Sequence, residues 1–249
     1  MEAEIQLKDE NSAVFQPSYK FDEAEKVIAD KLIEEMIEED VIEECPPSRF
    51  CLPFLIVKKR VETPEISEKS AKGNQKSKDS TGQETKEKMG KYYRFVLSAT
   101  SLNSLCKSIS WSQPNPQQLI SNLKGGKWFS GVDLKSAFFQ INLRKGDRPK
   151  TAFQHRSKTY RFTRMLQGFK NSSPFLSFLI QKVLGNMLYE TAQSFVDDIV
   201  LFSKTSFEHH LEVIEEFFQK MRNAGLGLRM DKLQVVFPRN NVSRDDMQQ

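Results

Sequence analysis

Two carboxylates stand side by side in an otherwise apolar run, Ser194-Phe195-Val196-Asp197-Asp198-Ile199-Val200-Leu201-Phe202. Adjacent acids among residues that favour burial repel one another and resist desolvation. A divalent cation removes that cost. The β-branched and aromatic residues on either side suit two short strands with the acids at the turn between them. A third acid, Asp133, has a similar setting in Trp128-Phe129-Ser130-Gly131-Val132-Asp133-Leu134. Three carboxylates at strand ends can hold two magnesium ions ~3.5–4 Å apart, the arrangement used for in-line phosphoryl transfer. Magnesium favours a few carboxylates together with substrate phosphates over an all-protein cage. A lone Asp-Asp is more often a polar turn, so the weight here comes from the flanking pattern.

These acids need a scaffold, and 249 residues with 38% hydrophobic content can bury one sizeable core or two small lobes. No apolar run approaches the ~18 residues of a membrane span, and the acidic N-terminus has no signal-peptide pattern. Cys45, Cys51 and Cys106 lack zinc-like spacing, with only His155, His209 and His210 to help them. A reducing intracellular location, cytoplasmic or nuclear, is expected. Charge is unevenly placed. Residues 1–44 carry four lysines against fifteen carboxylates, which leaves 33 basic and 18 acidic residues after position 44. A basic body of that size suits a polyanionic partner.

Along the chain, residues 22–44 read as an amphipathic helix. Asp22 and Glu25 form a capping pair, Ile28, Leu32, Ile33, Met36, Ile37 and Val41 recur at helical spacing, and Pro46-Pro47 end it. Phe50–Val57 reads as a strand. Residues 61–90 are rich in Lys, Glu, Ser and Gln and read as a disordered insertion. A strand resumes at 91–97. A polar helix precedes Gly125-Gly126, then come the Asp133 strand and another at Tyr160–Met165. Ser172–Leu188 reads as a helix with Phe175, Leu179, Val183 and Met187 on one face. After the Asp-Asp hairpin, Thr205 and Glu208 match a capping box for a helix to Ala224. Phe207, Leu211, Ile214, Phe218 and Met221 form its stripe, and Gly225 stops it.

Seven collinear motifs give this order its meaning. They are Phe54-Leu55-Ile56-Val57-Lys58-Lys59; Arg94-Phe95 leading to Ser101-Leu102-Asn103; Phe129 through Ile141; and Arg148-Pro149-Lys150-Thr151-Ala152-Phe153. Leu166-Gln167-Gly168-Phe169-Lys170-Asn171-Ser172, Phe195-Val196-Asp197-Asp198 and Ala224-Gly225-Leu226-Gly227-Leu228 with Lys232 complete the set. From about residue 20 to about 237 the chain resembles the reverse transcriptases of gypsy-type LTR retrotransposons and retroviruses. The resemblance implies an α+β polymerase of fingers and palm, with an antiparallel palm sheet backed by helices. It places residues 1–20 as an N-terminal extension and 21–128 as the fingers side. The palm is 129–237, with fingers elements interleaved at 145–170, and 238–249 is an unrelated tail.

The resemblance also implies roles. Asp133, Asp197 and Asp198 fall on the metal-binding catalytic carboxylates, for two Mg2+ ions that Mn2+ could replace. Lys59 and Arg94 match residues that grip the incoming deoxynucleoside triphosphate, with Leu134 and Gln167 also at the nucleotide. Phe138 matches an aromatic gate against the 2′-hydroxyl. Phe195 and Val196 flank the primer end, and Lys232 matches a lysine proposed to protonate pyrophosphate. The partners implied are an RNA or DNA template with its primer. There are departures. Ser98 and Thr100 stand where the family has Asp and Arg, Ser173 precedes Pro174 where Pro is expected, and the chain is expected to be truncated before the thumb. Three readings are carried forward: an RNA-directed DNA polymerase domain, an inactive retroelement remnant that at most binds nucleic acid, and a viral RNA-directed RNA polymerase. Phe138 and Val196 weigh against the last.

Overall fold

The computed structural model describes residues 2–59, 92–111, 115–230 and 233–238. The insertion expected at 61–90, Lys232 and most of the expected tail lie outside them. Two short strands, β1 (Glu2–Ala3) and β2 (Val14–Phe15), precede helix α1 (Glu23–Glu38). The capping box forms as read: Asp22 Oδ1 accepts from the Glu25 N–H at 2.7 Å, and Glu25 accepts from the Asp22 N–H at 3.0 Å. The helix stops well before residue 44. Asp40 adopts φ 54°, and the N–H groups of Asp40 and Val41 fold back onto the Ile37 and Met36 carbonyls at 3.0 and 2.9 Å. This is a Schellman-type end. The chain passes directly into β3 (Ile42–Glu44), so the buried Val41 that looked like the end of a helical stripe lies beyond the helix.

The strand expected at 50–57 is two, β4 (Phe50–Cys51) and β5 (Phe54–Lys58). Pro53, with no N–H to give a ladder, separates them. β5 pairs antiparallel with β6 (Tyr93–Leu97), with Val57 opposite Arg94. Phe54 and Phe95 stack at 4.7 Å and meet Phe153 at 5.5 and 5.0 Å, which anchors the base of this pair in the core. Short helices α2 (Thr100–Leu105) and α3 (Pro116–Asn122) lead to β7 (Trp128–Asp133). Then come a 3₁₀ turn at Ala137–Gln140, β8 (Asn142–Leu143), a second 3₁₀ segment at Lys145–Thr151, and the hairpin β9 (Phe153–His155) and β10 (Lys158–Phe162).

The N-terminal segment is tied into the body of the fold. β1 pairs in parallel with β8, and Ala3, Ile5 and Leu7 are fully buried. A buried ion pair closes around this segment. Asp147 Oδ2 accepts from the Ile5 N–H at 3.2 Å, while Lys150 Nζ donates to the Ile5 carbonyl at 2.6 Å and to Asp147 Oδ1 at 2.7 Å. Polar groups this deep are tolerated because each is paired.

The palm follows. Helices α4 (Ser172–Leu184) and α5 (Met187–Glu190) lead into β11 (Ala192–Phe195) and β12 (Asp198–Ser203), then α6 (Phe207–Ala224) and β13 (Gln234–Pro238). The sheet is antiparallel in the order β11-β12-β7-β13. α4 stops at Leu184 because Gly185 takes φ 57°. Its buried face is Leu176, Ile180 and Leu184, one position along from the expected Phe175, Leu179 and Val183, which are only partly buried. α6 is shifted likewise. Ser206, not Thr205, caps it by accepting from the His209 N–H, and the buried face is His210, Val213, Phe217 and Met221. Gly225 ends α6 at φ 68°, as its position predicts.

Candidate functional site

Alternation along β7 and β12 decides which side chains reach the cleft. Val132 and Ser130 pair with Ile199 and Leu201 on the face that α6 covers. Asp133 pairs with Asp198 on the opposite face. Directly opposed residues of an antiparallel pair hold their Cβ atoms about 4.5–5.5 Å apart. A slip of β12 by one residue would turn Asp198 into the apolar core and Ile199 and Leu201 out of it, so their burial fixes this register. Val196 and Asp197 form the two-residue turn between Phe195 and Asp198. Val196 takes φ 57°, a conformation a β-branched residue resists. Packing of Val196 against the core holds it there. The Asp197 carbonyl accepts from the Leu134 N–H at 3.2 Å, which ties the turn to the end of β7.

On the far wall, Lys59 lies two residues beyond Val57, the partner of Arg94, so strand alternation sets Lys59 and Arg94 on one face. The Lys59 N–H donates to the Tyr92 carbonyl at 2.8 Å. Burial, and then the nearby charges of Arg94 and Arg229, lower the Lys59 pKa below the ordinary lysine value. Lys59, Arg94, Asp133, Leu134, Phe138, Gln167, Asp197 and Asp198 all line one open cleft of about 1000 Å³. Leu134 is itself almost wholly buried. Phe138 is half-buried against the core on the 3₁₀ turn after β7. Gln167 is held in place indirectly. Asn103 donates to the Gly168 carbonyl at 2.9 Å and accepts from the Lys170 N–H at 2.8 Å, clamping the loop that carries it. Phe195, exposed, and Val196 stand at the hairpin tip outside the cleft lining. Lys232 lies outside the described residues.

Arg229 was not legible as a site residue. Its N–H donates to the Asp133 carbonyl at 2.8 Å, and its guanidinium Nη1 lies 3.6 Å from Asp133 Oδ2. Gln140 fixes the loop before it, accepting from the Gly227 N–H at 2.6 Å and donating to the Gly227 carbonyl at 2.9 Å. A lone arginine past a helix-ending glycine carries no local signal that it will turn back onto a strand. Glu35 of α1 and Glu39, the residue that caps its end, also reach the cleft.

The donor set suits a hard divalent cation: all three candidate ligands are carboxylates, two of them cross-strand partners. Among the described residues, no group of three His, Cys, Asp or Glu side chains converges closely enough to enclose a metal on its own. Phosphate oxygens would therefore have to complete the shell, as is usual for Mg2+.

Residues 85–244 match the family described as "Reverse transcriptase (RNA-dependent DNA polymerase)". The chain is 25% identical over 226 residues to the "Retrovirus-related Pol polyprotein from transposon 297" of Drosophila melanogaster, covering 91% of this chain and 19% of the relative. It is 30% identical over 139 residues to the "Transposon Tf2-3 polyprotein" of Schizosaccharomyces pombe, covering 56% of this chain and 10% of the relative. The chain thus spans less than a fifth of these polyproteins. In fold it is similar to a foamy viral protease-reverse transcriptase solved in complex with an RNA/DNA hybrid. The TM-score is 0.70 at 20% identity, covering 93% of this chain and 28% of that one. A second foamy viral structure, with double-stranded DNA, gives 0.68 at 21% identity. A family whose members depend on divalent metal agrees with a cleft floored by carboxylates. The chain belongs to the reverse transcriptase (RNA-dependent DNA polymerase) family.

Proposed function

We propose that the cleft is the polymerising site of an RNA-directed DNA polymerase, adding deoxynucleotides to a primer 3′-hydroxyl. The observation that carries this reading is the pairing of Asp133 with Asp198 across β7 and β12, with Asp197 in the adjoining turn and Lys59 and Arg94 lining the same cleft. Asp133, Asp197 and Asp198 would hold two Mg2+ ions, or Mn2+ in their place. Bound there, the ions would supply Lewis acidity at the attacking hydroxyl and the leaving phosphate. The protein's own groups do the rest. Arg94 presents a planar fork and Lys59 a point charge, a pairing suited to a triphosphate. The partial burial that lowers the Lys59 pKa would strengthen its attraction to phosphate relative to a fully solvated lysine.

Phe138, between the carboxylates and the fingers wall, would lie under the sugar and leave no room for a 2′-hydroxyl. Gln167 would contact the nucleotide or the template beside it. Exposed Phe195 and strained Val196 would set the primer terminus against the Asp197–Asp198 pair. Lys232 would protonate the departing pyrophosphate. Template and primer supply the polyanion that the basic body past residue 44 suits.

Primer extension on poly(rA)–oligo(dT) with Mg2+ and with Mn2+ tests this, beside Asp197→Asn/Asp198→Asn. Extension by the unaltered chain that the double substitution abolishes is the expected result. Template–primer binding without any extension would instead identify a retroelement remnant that kept the groove and lost the chemistry.

A further inference from the structure

Two cations that line the cleft, Lys135 and Arg229, are not used by the reading above. Arg229 faces Asp133 from the loop after α6, at 3.6 Å from its carboxylate. Its place is built and does not depend on a floppy side chain alone. The Arg229 N–H is bonded to the Asp133 carbonyl, Leu228 bridges to Leu134, and the Gln140 amide grips Gly227 from both sides. The loop is therefore fastened to the strand end that carries the carboxylates. The guanidinium remains nearly half exposed to the cleft. Lys59 and Arg94 line the same cavity from the β5–β6 pair.

We propose that Arg229 is a third phosphate-binding cation of this cleft, stored on Asp133 until a metal-bound triphosphate arrives and then transferred to the triphosphate. The proposal rests on the cleft being a nucleotide site. Its physical basis is charge placement. A guanidinium beside Asp133 offsets the repulsion between the facing acids Asp133 and Asp198. The same guanidinium must oppose a divalent cation approaching Asp133, because like charges a few ångströms apart repel. Once that cation carries phosphate oxygens into the site, the guanidinium gains a better partner, a polyanion with bidentate geometry. The lowered pKa of Lys59, to which both Arg94 and Arg229 contribute, agrees with three cations facing one space. Arg229 by the end of β7, with Lys59 and Arg94 on the β5–β6 pair, can hold a triphosphate from two elements at once.

The signature is two effects of opposite sign. Arg229→Gln should bind Mn2+ about tenfold more tightly, read by electron paramagnetic resonance of free Mn2+, since the competing cation is gone. The same variant should bind dTTP with Mg2+ about tenfold or more weakly in equilibrium dialysis, with dTMP binding unchanged, since only the polyphosphate contact is lost. Arg229→Lys keeps the charge but not the fork, so its Mn2+ affinity should stay near that of the unaltered chain while dTTP binding falls partway. Thermal melting of both variants checks that the backbone bond to Asp133 still holds the loop. Unchanged Mn2+ and dTTP binding in Arg229→Gln, alongside weakened dTTP binding in Arg94→Gln, would overturn the role of Arg229 and leave the nucleotide site standing. An unaltered chain that binds dTTP no better than dTMP would overturn the nucleotide site and this inference together.

Discussion

Asp133 meets groups of different kinds: the facing acid Asp198, the backbone and guanidinium of Arg229, and, in the proposed reaction, a divalent ion. Its position at the last residue of β7 allows this, because a strand end frees one side of the side chain from the sheet. Phe138 shows how much one residue can decide on the same rim. It is half-buried, packed partly against the core and partly along the cleft. Truncation there should therefore cost only about 2 kcal/mol, below the range for a fully buried phenylalanine. The space released faces the cleft. Phe138→Ala and Phe138→Val should both raise uridine nucleotide incorporation relative to thymidine by about ten- to a hundredfold, the range in which shape alone discriminates a hydroxyl. Competitive primer extension with dTTP and UTP measures this ratio. Unaltered sugar selectivity in both variants would reduce Phe138 to packing.

The elements that position the site titrate in two separate ranges. α6 packs its His210 ring, fully buried, against β7, where Nε2 lies 2.9 Å from Ser130 Oγ while Nδ1 has no hydrogen-bond partner among the described residues. Burial, and then the neighbouring His209, push the His210 pKa below its ordinary 6.5. The unfolded chain therefore takes up a proton that the folded palm refuses, and this contribution is present above about pH 6.5 and lost as pH falls. A second clamp lies far from the palm. Asp30 of α1 accepts from Arg156 at 2.6 Å and pairs with His155 at 2.6 Å across the β9–β10 hairpin. The Arg156 hydrogen bond, against some burial, lowers the Asp30 pKa from 3.8 to about 2. That contribution persists above pH 3.8 and is lost between 3.8 and 2. Urea midpoints against pH should fall in two steps, and His210→Phe should flatten only the upper one; a single step unaffected by that substitution would remove His210 from the account. His210 also explains why α6 was legible in length but not in face. Thr205 and Ser206 are both competent caps, and a stripe through Leu211 and Phe218 looks more apolar than one through a histidine. The buried face nevertheless runs through His210, because Ser130 offers its ring a partner. α4 was misread for a related reason: it is apolar nearly all round, so periodicity alone could not choose a face.

For the molecule as a whole, the collinear motifs made the palm sheet and cleft walls legible because they run along the strands and loops that line the cleft. The N-terminal strand was not legible, because two residues of β1 show no periodicity and their parallel partner lies far along the chain. Arg229 was hidden by the same kind of long-range contact. The N-terminal segment nonetheless bears on the cleft. β8, which it pairs with, directly follows the 3₁₀ turn holding Phe138 and Gln140, and Gln140 in turn holds the Arg229 loop. Ile5 and Leu7 are essentially inaccessible to solvent, and burying each contributes about 1.5–3 kcal/mol. Their loss would also leave Lys150 and Asp147 without the Ile5 backbone groups that bond them. Together these approach the whole stability of an ordinary domain, about 5–15 kcal/mol. A chain beginning at Asp9 should therefore lose most of its urea resistance by circular dichroism. At low urea, where some folded chain remains, it should bind dTTP several-fold more weakly because the 3₁₀ turn has lost its support. A shortened chain with the urea midpoint and dTTP affinity of the full one would show that β1 decorates the fold without bracing the cleft.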